Sequence, residues 1–497
     1  MNNSLTKNAV WLMSAKTLAF VFNFTLPLLL VRQLTQSDFG LYRQVFLFVS
    51  TAAAVLPFGL AMSAFYFFPR ESERKGQVVL NILLVHLFVS GLASLGILLF
   101  PWLPAVIFNA PELLEHASLI AAVVLLWAFS SWLEIVALAN GEFKLTTAFI
   151  VAMNLSKALL LLGAAFAFGS VRALIWAGWI QGVLQTILVL LYLGSRFPQF
   201  WSRVDWALMR SQLAYALPLG CAGLLYSFQM DWHHYVVSHR FGANAYAIYA
   251  IGCVQLPLLS ILSESVGWVL IPSVNHLRHE TKHQEIVTLI THMLRKLAAL
   301  YFPLYCFLLV AGHEFITVLF TAQYLDSWPI FAINLTIIPL TLISSAYDPV
   351  LRAYPEHMPF LLKTRIALAV PLILGLWFGT EYYGLVGAIT ATVVVNAVER
   401  VILAAKVGKI LKTSWHDLVL LKDIGKFAYA AATAGVLVGL VRQLLVGMDP
   451  SAMLGTCGVV FAMAYGATVM LLGVLTPRER EAIGRFKFWK RAEDSLA

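Results

Sequence analysis

The sequence is short of charge. Only 12% of its 497 residues are Asp, Glu, Lys or Arg, about half the ~25% of an ordinary globular domain, so a solvated surface of normal polarity cannot be built from it. It is equally short of useful cysteine. Cys221, Cys253, Cys306 and Cys457 all lie inside apolar runs, with neither a CxxC pair nor metal-ligand spacing, which excludes a disulfide scaffold and says nothing of the redox compartment. Long polar segments are missing too: the longest, 195–212, 271–296, 406–425 and the tail after Thr476, are each too short to fold as a domain. No Walker lysine loop, no GxSxG and no paired carboxylates in a sizeable outer loop are present, so a soluble or membrane-embedded enzyme lacks its usual equipment.

What is present is apolar material. Hydrophobic residues make up 60% of the chain, roughly 300 residues, whereas a single soluble core stops growing near ~250–300 residues in total. The bilayer must therefore be the solvent for most of it. At about 20 apolar residues per membrane helix, the composition predicts an all-α polytopic membrane protein of about 14 spans. Punctuation by polar, Pro and Gly residues places them near 9–31, 44–67, 78–100, 118–140, 148–168, 173–194, 213–237, 246–270, 297–319, 329–350, 362–379, 385–405, 426–446 and 453–475. The N-terminal segment, with Lys16 inside its apolar run and no small-residue cleavage site, reads as a retained first helix and not as a cleaved signal peptide.

The distribution of basic residues supports this count. With both termini cytoplasmic, 27 of the 34 Lys and Arg fall on the inner side, five (Arg32, Arg43, Arg172, Arg240, Arg442) on the outer side, and Lys16 and Lys157 within spans. A miscounted helix would scramble that alternation. Two internal echoes suggest duplication: VRQLTQSDFGLYRQV can be laid over VVSHRFGANAYAIYAIG, and FGS at 168–170 followed by ALIWAG matches FGT at 378–380 followed by GLVGAI. The resulting division is a six-helix lobe over 1–194, an amphipathic cytoplasmic linker over 195–212, a second six-helix lobe over 213–405, a cytoplasmic loop with helices 13 and 14 over 406–475, and a basic cytoplasmic tail over 476–497.

Three stretches carry a family resemblance. VRQLTQSDFGLY resembles the first outer loop of the polysaccharide transporter family, the flippases of lipid-linked oligosaccharides, in which a short polar run ends in an acidic residue followed by Phe-Gly-Leu-Tyr. Residues 205–250 are similar to the start of that family's second lobe, with Leu217-Pro218, Asp231, Gly242 and Tyr249 at the matching positions, although Ala247 stands where the family usually has Gly. ANGEFKLTTAFI at 139–150 is similar to the inner loop after helix four. The resemblance implies the fold of the multidrug/oligosaccharidyl-lipid/polysaccharide exporter superfamily: two six-helix lobes in a V around a central cavity, flanked by helices 13 and 14, with a cationic cavity in the lipid flippases.

Charged side chains inside a bilayer are costly and normally face a cavity or a partner. Lys16 shares a helical stripe with Phe20, Asn23 and Pro27, and Lys157 sits one turn from Asn154, so both stripes are polar enough to line water. Lys16, Lys157 and Arg43 are the candidate cations of a substrate cavity; for Lys16 the competing reading is snorkelling to the inner surface, and for Arg43 an interfacial anchor. Glu134, which shares a helical face with Trp127, Ser130 and Ser131, Asp231 and Glu264 are candidates for ion coupling or lobe packing. Asp348 and Arg352 have the spacing of an intrahelical ion pair, and Glu399 and Arg400 read as another. His233 and His234 read as an interfacial turn rather than a proton relay, and His276, His279 and His283 as a solvated helix face rather than a metal site.

The chemistry of an anionic, sugar-bearing lipid fits these features: cations for its pyrophosphate, and Trp127, Trp176 and Trp268 as platforms for its sugars. The expected function is a non-enzymatic flippase moving a polyprenyl-pyrophosphate oligosaccharide from the inner to the outer leaflet by alternating access, in O-antigen, lipopolysaccharide or exopolysaccharide assembly. It would need no cofactor and no metal, reside in a bacterial-type cytoplasmic membrane, and have the lipid-linked glycan, the bilayer and possible glycan polymerases or glycosyltransferases as partners, with no nucleic acid. The alternatives are a cation-coupled multidrug exporter of the same fold, which would want acids in place of the lysines, and a membrane-embedded glycosyl- or acyltransferase.

Overall fold

In the computed structural model, which describes residues 3–198, 204–280, 282–413, 422–445 and 447–474, every regular element among the described residues is helical. Eighteen α-helices follow one another: α1 (Asn3–Leu30), α2 (Gln36–Val55), α3 (Ser63–Phe67), α4 (Lys75–Leu99), α5 (Trp102–Phe108), α6 (Ala117–Ser130), α7 (Leu133–Ala139), α8 (Phe143–Phe168) and α9 (Val171–Arg196). Then come α10 (Trp206–Gly252), α11 (Pro257–His279), α12 (His283–Val310), α13 (Gly312–Phe320), α14 (Trp328–Leu335), α15 (Ile337–Ala353), α16 (Met358–Leu411), α17 (Lys422–Leu444) and α18 (Pro450–Leu471). Apolar runs of about 20 residues span hydrocarbon as helices, which satisfy every backbone N–H and C=O within the segment, whereas a closed β-barrel would need short strands of alternating pattern. Twelve helical stretches among the described residues are long and apolar enough to cross a membrane, or thirteen if the pair Gln36–Val55 and Leu60–Phe67, bent by 40°, is one span. The protein is a multi-pass, all-α membrane protein.

Glycine and proline decide where these helices bend. At ~1.5 Å per residue the 54 residues of α16 would stretch about 80 Å, far beyond a ~30 Å hydrocarbon core, but Gly384 adopts a left-handed φ of +58° and turns the chain back on itself. Gly379 and Gly387 then face each other backbone to backbone, and a Cβ on either would collide with the other's main chain. A second break stands in α10 at Gly242, φ +74°. The span expected at 246–270 is interrupted, since α10 ends at Gly252 and α11 restarts at Pro257, a residue suited to a first helical turn. The stretch 271–296, expected as a polar loop, is almost wholly helical; α11 runs through His279 and α12 starts at His283.

The FGLY motif also sits differently from its expected place in an outer loop. Thr35 caps α2, accepting a hydrogen bond from the Asp38 backbone N–H at 3.1 Å while its hydroxyl donates to Asp38 Oδ2 at 2.6 Å. The polar run ending in an acid is therefore a helix start, and Phe39, Gly40, Leu41 and Tyr42 form the first turns of α2, all buried. The distal half of the 195–212 linker is likewise helical, being continuous with α10 from Trp206; its residues 199–203, with Trp201 and Arg203, and the tail 476–497 lie outside the described residues.

Internal packing divides the chain into two compact units. One comprises Met1–Ile261, Pro329–Asn334 and Pro359–Val395; the other comprises Leu262–Trp328, Leu335–Met358 and Asn396–Ala497. In the first unit α2 and α10 lie antiparallel at very close range. Gly40 abuts the Ala243 carbonyl just past the Gly242 break, and Gly220 abuts the Phe58 carbonyl where the chain breaks at Phe58 (φ +46°) and Gly59 (φ +65°). Small residues that let backbones approach are the main means of helix association where water supplies no hydrophobic drive. Alongside, α1 packs on α8, and α6 on α4 and α9. In the second unit α12 packs on α15 and α17, and α17 on α18. There Arg442 of α17 grips the buried Glu314 of α13, with Nε and Nη2 each 2.9 Å from Oε1.

Candidate functional site

The polar stripes of α1 and α8 meet inside the first unit. Lys157 donates from Nζ to Asn23 Oδ1 at 2.7 Å, and Asn23 donates from Nδ2 to Asn154 Oδ1 at 3.1 Å and to the Ala19 carbonyl at 2.9 Å. Asn154 in turn donates to the Ile150 carbonyl at 2.8 Å. Lys157 is thus a membrane-depth cation oriented by two neutral amides. Among the described residues it forms no ion pair, so its positive charge is positioned but uncompensated. Lys16 lies on the same helix as Asn23, two turns earlier and about 10 Å along the axis, and is half-buried. Immediately before Lys157, Ser156 donates to Gln181 Oε1 at 2.9 Å, tying α8 to α9.

Arg43 lies two turns into α2, deeper in the helix than its expected interfacial place because the helix starts at Gln36. It is half-buried, forms no ion pair among the described residues, and stands within electrostatic reach of His234 and Tyr246 of α10 and of Cys253, which caps that helix. The next residue, Gln44, donates from Nε2 to Ser238 Oγ at 2.8 Å and fixes the register of the two helices. Around Arg43 runs an aromatic row: Tyr42 and Phe46 have centroids 4.9 Å apart, and Phe46 and Trp127 5.6 Å.

His233 and His234 do not sit in an interfacial turn. They lie within α10, their rings 4.2 Å apart, and His233 Nδ1 is 2.7 Å from the hydroxyl of the fully buried Tyr249. His234 Nδ1 is buried with no hydrogen-bond partner among the described residues. The sequence held a usable signal: Asp231 and His234 three residues apart put polar groups on one face of an otherwise apolar helix. Asp231 itself is half-buried.

The remaining candidates scatter. Glu134 is exposed, and the break after Ser130 puts it on α7, off the helix that carries Trp127; the expected shared face with Ser130 and Ser131 is lost. Glu264 belongs to the second unit, on α11 beside Ser263, whose hydroxyl bonds Ser345 at 2.6 Å and Tyr301 at 3.2 Å. Trp127 donates its indole N–H to the Gly178 carbonyl at 2.9 Å, which makes it a strut between α6 and α9. Trp176 is surface-exposed and edge-on to Trp179, and the Trp268 side chain lies outside the described residues. The Asp348–Arg352 pair does not form: Asp348 lies 4.0 Å from Arg400 of α16 instead, tertiary packing having offered a partner across helices. His276 pairs with Glu280 at 3.6 Å, and Lys282, bonded to Glu280 at 2.9 Å, holds that carboxyl below its ordinary pKa.

Comparison with known proteins bears on these helices. A search of curated protein sequences finds no match. Among solved structures, the lipid II flippase MurJ in an inward-closed conformation aligns at a TM-score of 0.70 and 14% identity, over 93% of this chain and 98% of that one. An outward-facing multidrug resistance MATE family transporter of the MOP superfamily aligns at 0.54 and 16%, over 84% and 96%. A MOP superfamily transporter from Pyrococcus furiosus aligns at 0.54 and 15%, over 82% and 96%. The chain therefore shares the fold of these transporters. Residues 29–329 match the model of a family described as polysaccharide biosynthesis protein, and since that segment is more than half of the chain, the protein belongs to the polysaccharide biosynthesis protein family.

Proposed function

We propose that the protein is a flippase that carries a polyprenyl-pyrophosphate-linked oligosaccharide from the inner to the outer leaflet by alternating access, for cell-surface polysaccharide assembly. The observation that carries this reading is Lys157, a cation inside the membrane held by Asn23 and Asn154 and left without a counter-ion among the described residues. Arg43 adds a second such charge. An anionic headgroup is the natural ligand of these charges, whereas a cation-drug exporter would place carboxylates there. The family's role in polysaccharide synthesis and a fold like that of a lipid II flippase support the same substrate class. If the reading holds, deletion of the gene leaves lipid-linked glycan accumulating on the inner leaflet. Unchanged glycan display on the cell surface, with no accumulation, overturns it.

The proposed topology has fourteen spans with both termini cytoplasmic in the inner membrane. It treats the bent α2–α3 pair as one span and the two arms of the α16 hairpin as two, and it groups the helices into lobes over 1–194 and 213–405 with the thirteenth and fourteenth spans, α17 and α18, apart. In a chain with its native cysteines replaced, single cysteines at Gln323 and Ser451 should react with a membrane-impermeant thiol reagent from outside. Labelling of either from the cytoplasmic side alone refutes the topology.

A further inference from the structure

The chain stacks several arginines on aromatic rings, and their surroundings differ in one respect. Arg240 lies over Trp377 and pairs with Glu381 at 3.0 Å; Arg278 lies over Tyr354 and pairs with Glu356 at 3.0 Å; Arg295 lies over Phe427 and pairs with Asp423 at 3.4 Å. In each of these the aromatic face orients the guanidinium and a carboxylate takes its N–H edge. Arg70 is built the same way, its guanidinium carbon 3.8 Å from the Tyr66 centroid and its Nη1 donating to the Tyr66 carbonyl at 3.1 Å. Yet it has no carboxylate among the described residues. Its sequence neighbours Glu71 and Glu73 form no ion pair with it, and Arg74, four residues on, has Asp205 at 3.5 Å.

The mount beneath Arg70 is rigid. Tyr66 stacks on Tyr215 of α10 with centroids 4.7 Å apart and rings 26° from parallel. One turn below both rings, the fully buried Gln212 accepts from Asn81 Nδ2 at 2.8 Å and donates to Ser63 Oγ at 3.2 Å and to the Val78 carbonyl at 3.3 Å, binding α10 to α3 and α4. Tyr66 and Tyr215 nevertheless remain 38% and 36% exposed, so the stack is a surface feature on a fixed base. Lys75 stands on the same segment, its Nζ 3.1 Å from the neutral Asn140 Oδ1.

We propose that the Arg70–Tyr66–Tyr215 stack is a receiving station for a phosphate-bearing lipid headgroup. Phosphate oxygens take the guanidinium edge that carboxylates occupy at Arg240, Arg278 and Arg295, Lys75 supplies a second charge, and the tyrosine hydroxyls face the adjoining sugar. Planar, bidentate recognition of phosphate is the task for which a pre-oriented guanidinium surpasses an ammonium. The inference rests on the flippase reading and adds to it a first contact for the substrate, on the side of the membrane where the proposed topology places Arg70.

The test uses the full chain in nanodiscs of neutral phosphatidylcholine, with a fluorescent polyprenyl pyrophosphate as probe and size-exclusion profiles as the check of folding. Arg70→Ala should weaken binding about tenfold or more, the scale of a lost charge-assisted pair. Arg70→Lys should recover only part of it, Tyr215→Ala should weaken it through the lost support, and Arg74→Ala should leave it unchanged. Inorganic pyrophosphate should compete in the wild type and lose that effect in Arg70→Ala. Binding unaltered in Arg70→Ala and Arg70→Lys overturns the proposal, as does an effect seen only with anionic phosphatidylglycerol in the disc, which would make the stack a phospholipid anchor. Should Arg70→Ala bind normally while Lys157→Ala blocks export, this inference fails and the flippase reading stands; should neither matter, both fail.

Discussion

Replacing Lys157 with Ala should reduce glycan export at least tenfold while leaving the amount of folded protein nearly unchanged. The side chain makes one hydrogen bond among the described residues, to Asn23 Oδ1 at 2.7 Å, and its loss leaves an amide that retains its bonds to Asn154 and the Ala19 carbonyl. Stability therefore has little to lose. Transport has more at stake, because a hydrogen bond to a charged group contributes about 1.5–3 kcal/mol, roughly a ten- to hundredfold effect. Lys157→Arg should keep part of the activity through its charge. Asn23→Asp gives the sharper result: it places a carboxylate where the amide now holds the lysine, so the charge is cancelled without being removed, and export should fall as far as in Lys157→Ala. Lys16→Ala should impair export as well. Normal export by both alanine variants and by Asn23→Asp refutes the cationic mechanism.

Gly40→Val should abolish accumulation of folded protein. The valine Cβ would be driven into the Ala243 carbonyl, a backbone atom that cannot rotate away as a side chain can, and overpacking of this kind costs about 1–3 kcal/mol even where neighbours can shift. Gly220→Leu should act alike at the other end of the same helix pair, against the Phe58 carbonyl. Gly91→Ala and Gly96→Ala are the matched controls, since nothing lies within 4 Å of a Cβ at either and alanine is the better helix former. Size-exclusion profiles and thermal aggregation midpoints of detergent-solubilised protein decide it. A monodisperse Gly40→Val with a wild-type midpoint would show that α2 and α10 do not pack as described.

Much of the fold was legible before any coordinates. The apolar runs gave the helices because a continuous run of about 20 apolar residues in a bilayer satisfies its backbone within its own segment, and span limits such as 148–168 and 385–405 fall close to α8 and the second arm of α16. The pairing of the α1 and α8 stripes through Asn23, Asn154 and Lys157 was half-legible: helical periodicity put the polar residues on shared faces, but nothing in it said that the two faces meet. Other local readings fail for two reasons. Glu134 shares a face with Trp127 only if the helix is unbroken, and it breaks after Ser130; Asp348 and Arg352 do share one helix, but Arg400 stands across from Asp348.

By itself, then, the sequence determined the solvent and the all-helical character of the chain, both of which depend on composition and on neighbours within a few turns. Only the tertiary structure decided which cations are compensated. Whether Arg70 meets a carboxylate as Arg278 does, whether Gly40 is spare or is the contact against Ala243, and whether His233 ends in lipid or against Tyr249 each depend on residues from 16 to more than 200 positions away. Helical periodicity reaches only a few turns, so pairings at that separation are written in the packing of helices and not in the order of residues.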